Sequence, residues 1–176
     1  MTLSRLLAEL ERDAERGSRA HLSRLVGSVN RADHAELSEE LAPIRHAMEQ
    51  VFDCSTSFGD CSVERPSTGH CFLASMFLQD SFGGEILFGE VKQIPHYWNR
   101  IDGLEIDLTG DQFRQPAVQV RRGKLRPAKF IFQRKPQQRL TSEDNRQVMK
   151  LYDTFKCRVA RQLKKDGRTD LAQAFE

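Results

Sequence analysis

Residues 67–86 read STGHCFLASMFLQDSFGGEI, and ten residues later HYWNRIDGLEIDLT runs from 96 to 109; the fold turns on these two stretches. In the first, a turn of small residues leads to a cysteine and an apolar run. Phe72, Leu73, Met76, Phe77 and Phe82 leave only Gln79 and Asp80 plainly polar, so residues 71–82 are expected to form a buried helix. Gly83 and Gly84 end it, because glycine reaches the left-handed backbone that closes a helix. Ser67 or Thr68 is placed to cap its start. The second stretch reads as a hairpin, since Asp102-Gly103 suits a two-residue turn. With those two residues in the loop, Ile101 faces Leu104, Trp98 faces Asp107 and His96 faces Thr109. Alternation then puts His96, Trp98, Arg100, Glu105, Asp107 and Thr109 on one face of the pair. Tyr97, Ile101, Leu104, Ile106 and Leu108 share the other, with Asn99 as its only polar member. His96 and Asp107 become diagonal neighbours on adjacent strands, about 7–8 Å apart between backbones.

Working outward, "DCSTSFGDCSVERPSTG" from Asp53 to Gly69 has the turn-residue density of a loop and no sustained period. Before it, Leu3, Leu6, Leu7 and Leu10, then Leu22, Leu25, Val26 and Val29, then "DHAELSEELAPIRHAMEQVF" recur at helical spacing, with Pro43 as a restart or kink. After the buried helix, "EILFGEV" and "IPHYWNRI" read as strands and "LEIDLT" as the return strand. Beyond Pro116 a further hairpin is expected, with "RPAKFIFQRK" as its clearest strand. Thr141, with Asp144 three residues on, opens a long helix through Val148, Leu151, Tyr152, Phe155, Val159 and Leu163. The expected organisation is a helical extension over residues 1–42, an α+β core over 43–140 and a C-terminal helix over 141–176, all in one compact domain.

A chain of 176 residues with 39% hydrophobic and 30% charged residues belongs to the globular class. The N-terminal region mixes Leu with Glu, Asp and Arg, unlike a signal peptide, and no segment has the roughly 20 apolar residues of a membrane span. A cytoplasmic protein is expected, with Cys54, Cys61, Cys71 and Cys157 as free thiols. A zinc site from Cys54, Cys61, His70 and Cys71 is disfavoured, because structural sites present paired ligands two to four residues apart. No cofactor or metal is expected. Residues 1–111 carry 10 Lys plus Arg against 19 Asp plus Glu, net −9, while residues 112–176 carry 17 against 6, net +11. The basic part is read as folding back on the acidic part. Nucleic acid is disfavoured as a partner because the basic residues are scattered with no aromatic platform among them. Oligomeric state is left open.

Three readings compete for Cys71: a small buried hydrophobe, a metal ligand, or a nucleophile. Taken singly, a Cys among Phe, Leu and Ala is usually packing and a strand His is usually a half-buried His. The conjunction favours chemistry. A helix-start thiol lies among unpaired N–H groups that favour a thiolate and an oxyanion. A strand His beside an Asp on the same sheet face has the geometry of a base and the group that orients it. Cys71, His96 and Asp107 are thus the catalytic candidates. Trp98 and Tyr97 are candidate pocket walls.

The helix-start cysteine, the "HYW" strand and the Gly-x-x-x-Asp-x-Thr ending resemble the Cys-His-Asp core of the transglutaminase-like branch of papain-like enzymes. More closely, "GHCFLASMFLQDSFGGEI" and "HYWNRIDGLEIDLTGDQF" are similar to the YunG-type family of small bacterial proteins, with its Gly-x-Cys helix start, Asp-x-Phe-Gly-Gly helix end and Asp-Leu-Thr-x-x-Gln-Phe segment. The resemblance covers roughly residues 43–113. It implies a papain-like α+β fold, a helix packed on an antiparallel sheet. The function expected from Cys71, His96 and Asp107 together is thiol chemistry on an amide or thioester, including one carried by a protein, as a hydrolase, deamidase or acyltransferase. Where that family is expected to have Gln before the cysteine, as an oxyanion or substrate-positioning group, this chain has His70, which with Trp98 forms the expected substrate-binding set. The alternative is a non-enzymatic interaction module that keeps the same shell.

Overall fold

The computed structural model describes residues 33–58, 60–101, 103–122, 128–132 and 143–173. The helices expected between residues 3 and 29 lie outside these residues, as do Asp102 of the hairpin loop and the Thr141 cap. Along the described chain run α1 (Asp33–Glu49), α2 (Cys71–Phe82), β1 (Glu85–Val91), β2 (Ile94–Ile101), β3 (Leu104–Asp107), a 3₁₀ turn (Gly110–Phe113), β4 (Gln119–Arg122), β5 (Ala128–Phe132), α3 (Glu143–Lys165) and α4 (Thr169–Gln173). The class is α+β. Helix α1 runs through Pro43 without a restart.

Every residue of α2 from Leu73 to Gln79 is buried. The reason is its central position: Phe77 meets Phe155 of α3 edge-on at 6.4 Å, and Phe72 lies 4.8 Å from Tyr97 of β2. The Gly83 N–H donates to the Gln79 carbonyl at 2.8 Å and closes the helix. Gly84 follows with φ +80°, and a Cβ there would lie 2.4 Å from the Arg100 carbonyl oxygen. Only glycine lets the chain leave the helix this close to β2. Helix α3 repeats Tyr152, Phe155, Val159 and Leu163 at helical spacing, and all four are buried in one core with Ile44, Met48, Leu73, Ile101 and Ile106. Each such side chain contributes about 1.5–3 kcal/mol through burial.

The sheet has five strands in the order β4-β3-β2-β1-β5, and its pairs are antiparallel. Strands β2 and β3 pair Ile101 with Leu104, Arg100 with Glu105 and Asn99 with Ile106, the register a two-residue loop demands. The Asn99 amide donates 2.9 Å to the Ser75 carbonyl of α2, so the Tyr97-Asn99-Ile101 face is the one the helix covers. His96 and Trp98 point to the opposite face and have no accessible surface. The segment after Pro116 departs from expectation. Strands β4 and β5 form no hairpin: β4 pairs with β3 at one edge and β5 with β1 at the other. Local apolar patterning marks a strand without naming its partner, and here both outer positions were filled by strands late in the chain.

Lys92 and Gln93 form the two-residue turn between β1 and β2, with φ of 52° and 66°. This left-handed backbone costs a non-glycine residue roughly 1–2 kcal/mol. Gln93→Gly is therefore expected to stabilise the protein by about 1 kcal/mol after its greater unfolded-state entropy is counted. A urea melt would show this as a higher midpoint with an unchanged slope.

Candidate active site

The chain reaches Cys71 through a loop that is tightly tied down. The Asp53 carboxylate accepts from the backbone N–H groups of Ser55 (2.8 Å) and Thr56 (3.1 Å). Phe58 N–H donates to the Gly69 carbonyl at 2.8 Å. Cys54 and Cys61 form a disulfide, their Cα atoms 5.3 Å apart. The expectation of four free thiols is corrected: the folded-back loop brings two cysteines within bonding geometry, and free thiols remain at Cys71 and Cys157. The bond also takes two of the four donors from the zinc arrangement. Arg158 of the basic part reaches back to Asp53 at 2.8 Å, an exposed pair of small energetic weight.

Neither Ser67 nor Thr68 caps α2. The capping position is His70, which makes no side-chain cap bond. Its imidazole is spent on the loop instead, with Nδ1 at 3.1 Å from the Thr68 carbonyl and Nε2 at 3.1 Å from Thr56 Oγ1. Nδ1–H must donate to that carbonyl, so Nε2 accepts from the hydroxyl. Burial pushes the His70 pKa down and favours this neutral form, partly offset by the Thr68 carbonyl. The ring also packs 4.5 Å from Phe52. His70 has no accessible surface and ties the loop to the helix start.

Cys71 is the first residue of α2 and is 8% exposed. The N–H groups of Tyr97, Phe72 and Cys71 itself lower its thiol pKa, but burial outweighs them and the Asp107 charge adds to the rise, so the thiol is pushed up to about 11. Helix-start amides alone imply an activated thiolate; desolvation reverses the outcome. The helix start nevertheless lies against β2: Phe72, next to Cys71, packs 4.8 Å from Tyr97, next to His96. The Tyr97 phenol, raised by burial and then by the Cys71 charge, lies on this side too and is only partly buried.

His96 and Asp107, diagonal across β2 and β3, make a bond of 2.9 Å from Nε2 to Oδ2, with no accessible surface on either side chain. Asp107 Oδ1 accepts from the Thr109 N–H at 2.9 Å and the Thr109 hydroxyl at 3.0 Å. Three donors thus converge on one carboxylate. The His96 ring is stacked on Trp98 at 6.0 Å and meets the edge of Phe113 at 4.9 Å. Trp98 Nε1–H donates 2.8 Å to Glu105, which also accepts from Arg100 at 3.1 Å. Trp98 is therefore an internal support of the imidazole, and of the two candidate aromatics only Tyr97 keeps surface beside Cys71. Sequence reading did not assign Gln112, whose amide nitrogen lies 2.9 Å from His96 Nδ1. The signal was present in the Asp-Leu-Thr-x-x-Gln-Phe segment, but a 3₁₀ turn has no periodicity that would aim the side chain.

A model of the YunG protein family matches residues 40–164, and the chain belongs to that family. It is 40% identical over 53 residues to the protein named "Uncharacterized protein YunG" of Bacillus subtilis (strain 168), a match spanning 30% of this chain and 46% of that protein. The chain thus spans about half the length of the curated relative it matches. No solved structure matches it.

The buried thiol has two measurable consequences. At neutral pH, iodoacetamide is expected to alkylate Cys71 more slowly than the exposed Cys157, at a rate that climbs with pH toward about 11. The folded thiol also keeps its proton above the ordinary value of 9.0, so its contribution to stability is complete below that pH and is lost as pH rises toward the folded value. Urea melts at pH 8 and pH 10 should show wild type losing about 1 kcal/mol more than Cys71→Ala.

Proposed function

We propose that this member of the YunG family carries out cysteine-dependent acyl chemistry on an amide or thioester, on a papain-like arrangement of helix and sheet. The observation that carries the reading is the buried 2.9 Å His96–Asp107 pair on adjacent strands, beside a helix that starts at Cys71 and packs through Phe72 on Tyr97, the neighbour of His96. Because Nε2–H is committed to Asp107, Nδ1 is the nitrogen that takes a proton. His96 Nδ1 accepts the Cys71 S–H proton as sulfur bonds to the carbonyl carbon, and the carbonyl π pair moves onto oxygen. That oxyanion collapses, the C–N or C–S bond breaks, and the leaving amine or thiol takes the proton back from Nδ1. The acyl-cysteine is then resolved by water or an amine, which gives its proton to Nδ1 as it attacks; the second oxyanion collapses, the acyl C–S bond breaks, and the Cys71 sulfur takes the proton back from Nδ1. Hydrolysis, deamidation and acyl transfer share this intermediate and differ in the group resolving it. A thiol raised to about 11 makes the mechanism one of general-base attack rather than a resting ion pair.

A second reading has its own observation. The His96 and Asp107 side chains have no accessible surface and Cys71 is held as a neutral thiol, the state of a satisfied polar core in a non-enzymatic interaction module. The cytoplasmic setting expected from the sequence is likewise a proposal, and the Cys54–Cys61 disulfide counts against it. Among the described residues, no helix is long and apolar enough to cross a membrane.

Trapping the acyl intermediate separates the two readings. Incubated with a set of peptide amides and aryl thioesters, wild type should gain one acyl group on the Cys71 peptide by mass spectrometry. Cys71→Ala should gain none there, and His96→Ala should be slowed by about 10²–10⁴-fold. Asp107→Ala should keep weak residual activity. Equal acylation of wild type and His96→Ala would leave the polar-core reading standing.

A further inference from the structure

The amide of Gln112 is held in one orientation. Its nitrogen lies 2.9 Å from the Thr109 carbonyl oxygen and 2.9 Å from His96 Nδ1. Thr109 offers only an acceptor, so the atom facing it must be the NH₂, and the same NH₂ faces Nδ1. With the Asp107 carboxylate on Nε2, the ring is therefore the neutral Nε2–H tautomer, and its Nδ1 lone pair is engaged by Gln112.

The segment carrying Gln112 is fixed from both sides. Arg65 of the loop before α2 donates to the Gln112 carbonyl at 3.1 Å. The buried Arg45 of α1 reaches the carboxylate of Asp111 at 3.1 Å. At Gly110 an added Cβ would meet Gln119 Nε2 at 2.0 Å and the Pro116 carbonyl at 2.5 Å. The backbone is thus tied down, and a change at Nδ1 has to be met by the Gln112 side chain. When Nδ1 takes a proton it becomes a donor facing a donor, so the amide has to turn or withdraw as that proton arrives.

We propose that Gln112 is a positioning residue of the site: it holds the Nδ1 lone pair of His96 in the resting protein, and its release sets how readily Cys71 is deprotonated. The inference rests on the acyl-chemistry reading above and adds a restraint to it. Gln112→Leu removes the donor and is expected to raise the Cys71 acylation rate by an aryl thioester about tenfold, the worth of one ordinary hydrogen bond. Gln112→Glu places a carboxylate against Nδ1, holds a proton there and should lower the rate to that of His96→Ala. Gln112→Met carries the same expectation as Gln112→Leu should the latter fail to fold. The spectroscopic arm compares wild type with Gln112→Leu: long-range ¹H–¹⁵N spectra should show His96 of wild type as the Nε2–H tautomer with Nδ1 shifted as a hydrogen-bonded acceptor, and that shift should move toward a free imine nitrogen in the variant. A Nδ1–H tautomer in wild type overturns the inference. So does a folded Gln112→Leu that acylates no faster than wild type while His96→Ala remains slow; the acyl-chemistry reading would survive that result. If His96→Ala acylates as fast as wild type, both fall together.

Discussion

A carboxylate and an imidazole 2.9 Å apart, both without accessible surface, impose the demand that the rest of the chain meets. An ionised carboxylate taken from water is tolerated only when donors replace its lost hydration. Here those donors come from the strand's own continuation. Thr109 turns back two residues after Asp107 and supplies both its N–H and its hydroxyl, so the end of β3 is shaped by the group it buries. Removing one partner of such a pair leaves an uncompensated polar group and costs about 3–5 kcal/mol, far more than the net worth of the intact pair. The pair is thus poor evidence of stability gained and good evidence of geometry enforced.

Support spreads from the pair in two directions. Along the sheet, Trp98 lies under the imidazole and is itself anchored to Glu105, which Arg100 holds. Arg100 lies 3.5 Å from Glu85 across the neighbouring strand, so one face of β1, β2 and β3 is a continuous ladder of polar contacts. Along the chain, Gln112 engages the second ring nitrogen and is tied through Arg65 and Arg45 to the loop before α2 and to α1. The ring is thereby connected to elements on both sides of the cysteine. Cys71 is buried at the start of α2, where desolvation keeps it a thiol. Both nitrogens of the neighbouring His96 ring are already engaged, one by Asp107 and one by Gln112.

Much of this was legible in the residues. The apolar run from Phe72 to Phe82 with its double glycine specified a buried helix and its end. Alternation about a two-residue loop specified which side chains share a face, and a one-residue slip would have exchanged the apolar and polar sets, so the β2–β3 register was legible in the sequence. Long-range consequences were less legible. Cys54 and Cys61 read as separate thiols until the loop between them was seen to fold back. Nothing local to His70 showed that Thr56 and the Thr68 carbonyl would engage both of its nitrogens. The strands after Pro116 read as partners of each other, whereas they sit at opposite edges.

The sequence by itself determined the local elements and their faces, because periodicity and turn chemistry act over a few residues and need no knowledge of what lies opposite. It also determined that Cys71, His96 and Asp107 occupy a helix start and two neighbouring strands. Only the tertiary structure decided their electrostatic states. Burial of Cys71 overrides the helix-start amides, and the polar face of the hairpin is enclosed rather than exposed to solvent. Both follow from desolvation, which depends on every atom that displaces water around a group, and those atoms come from segments far apart in the chain.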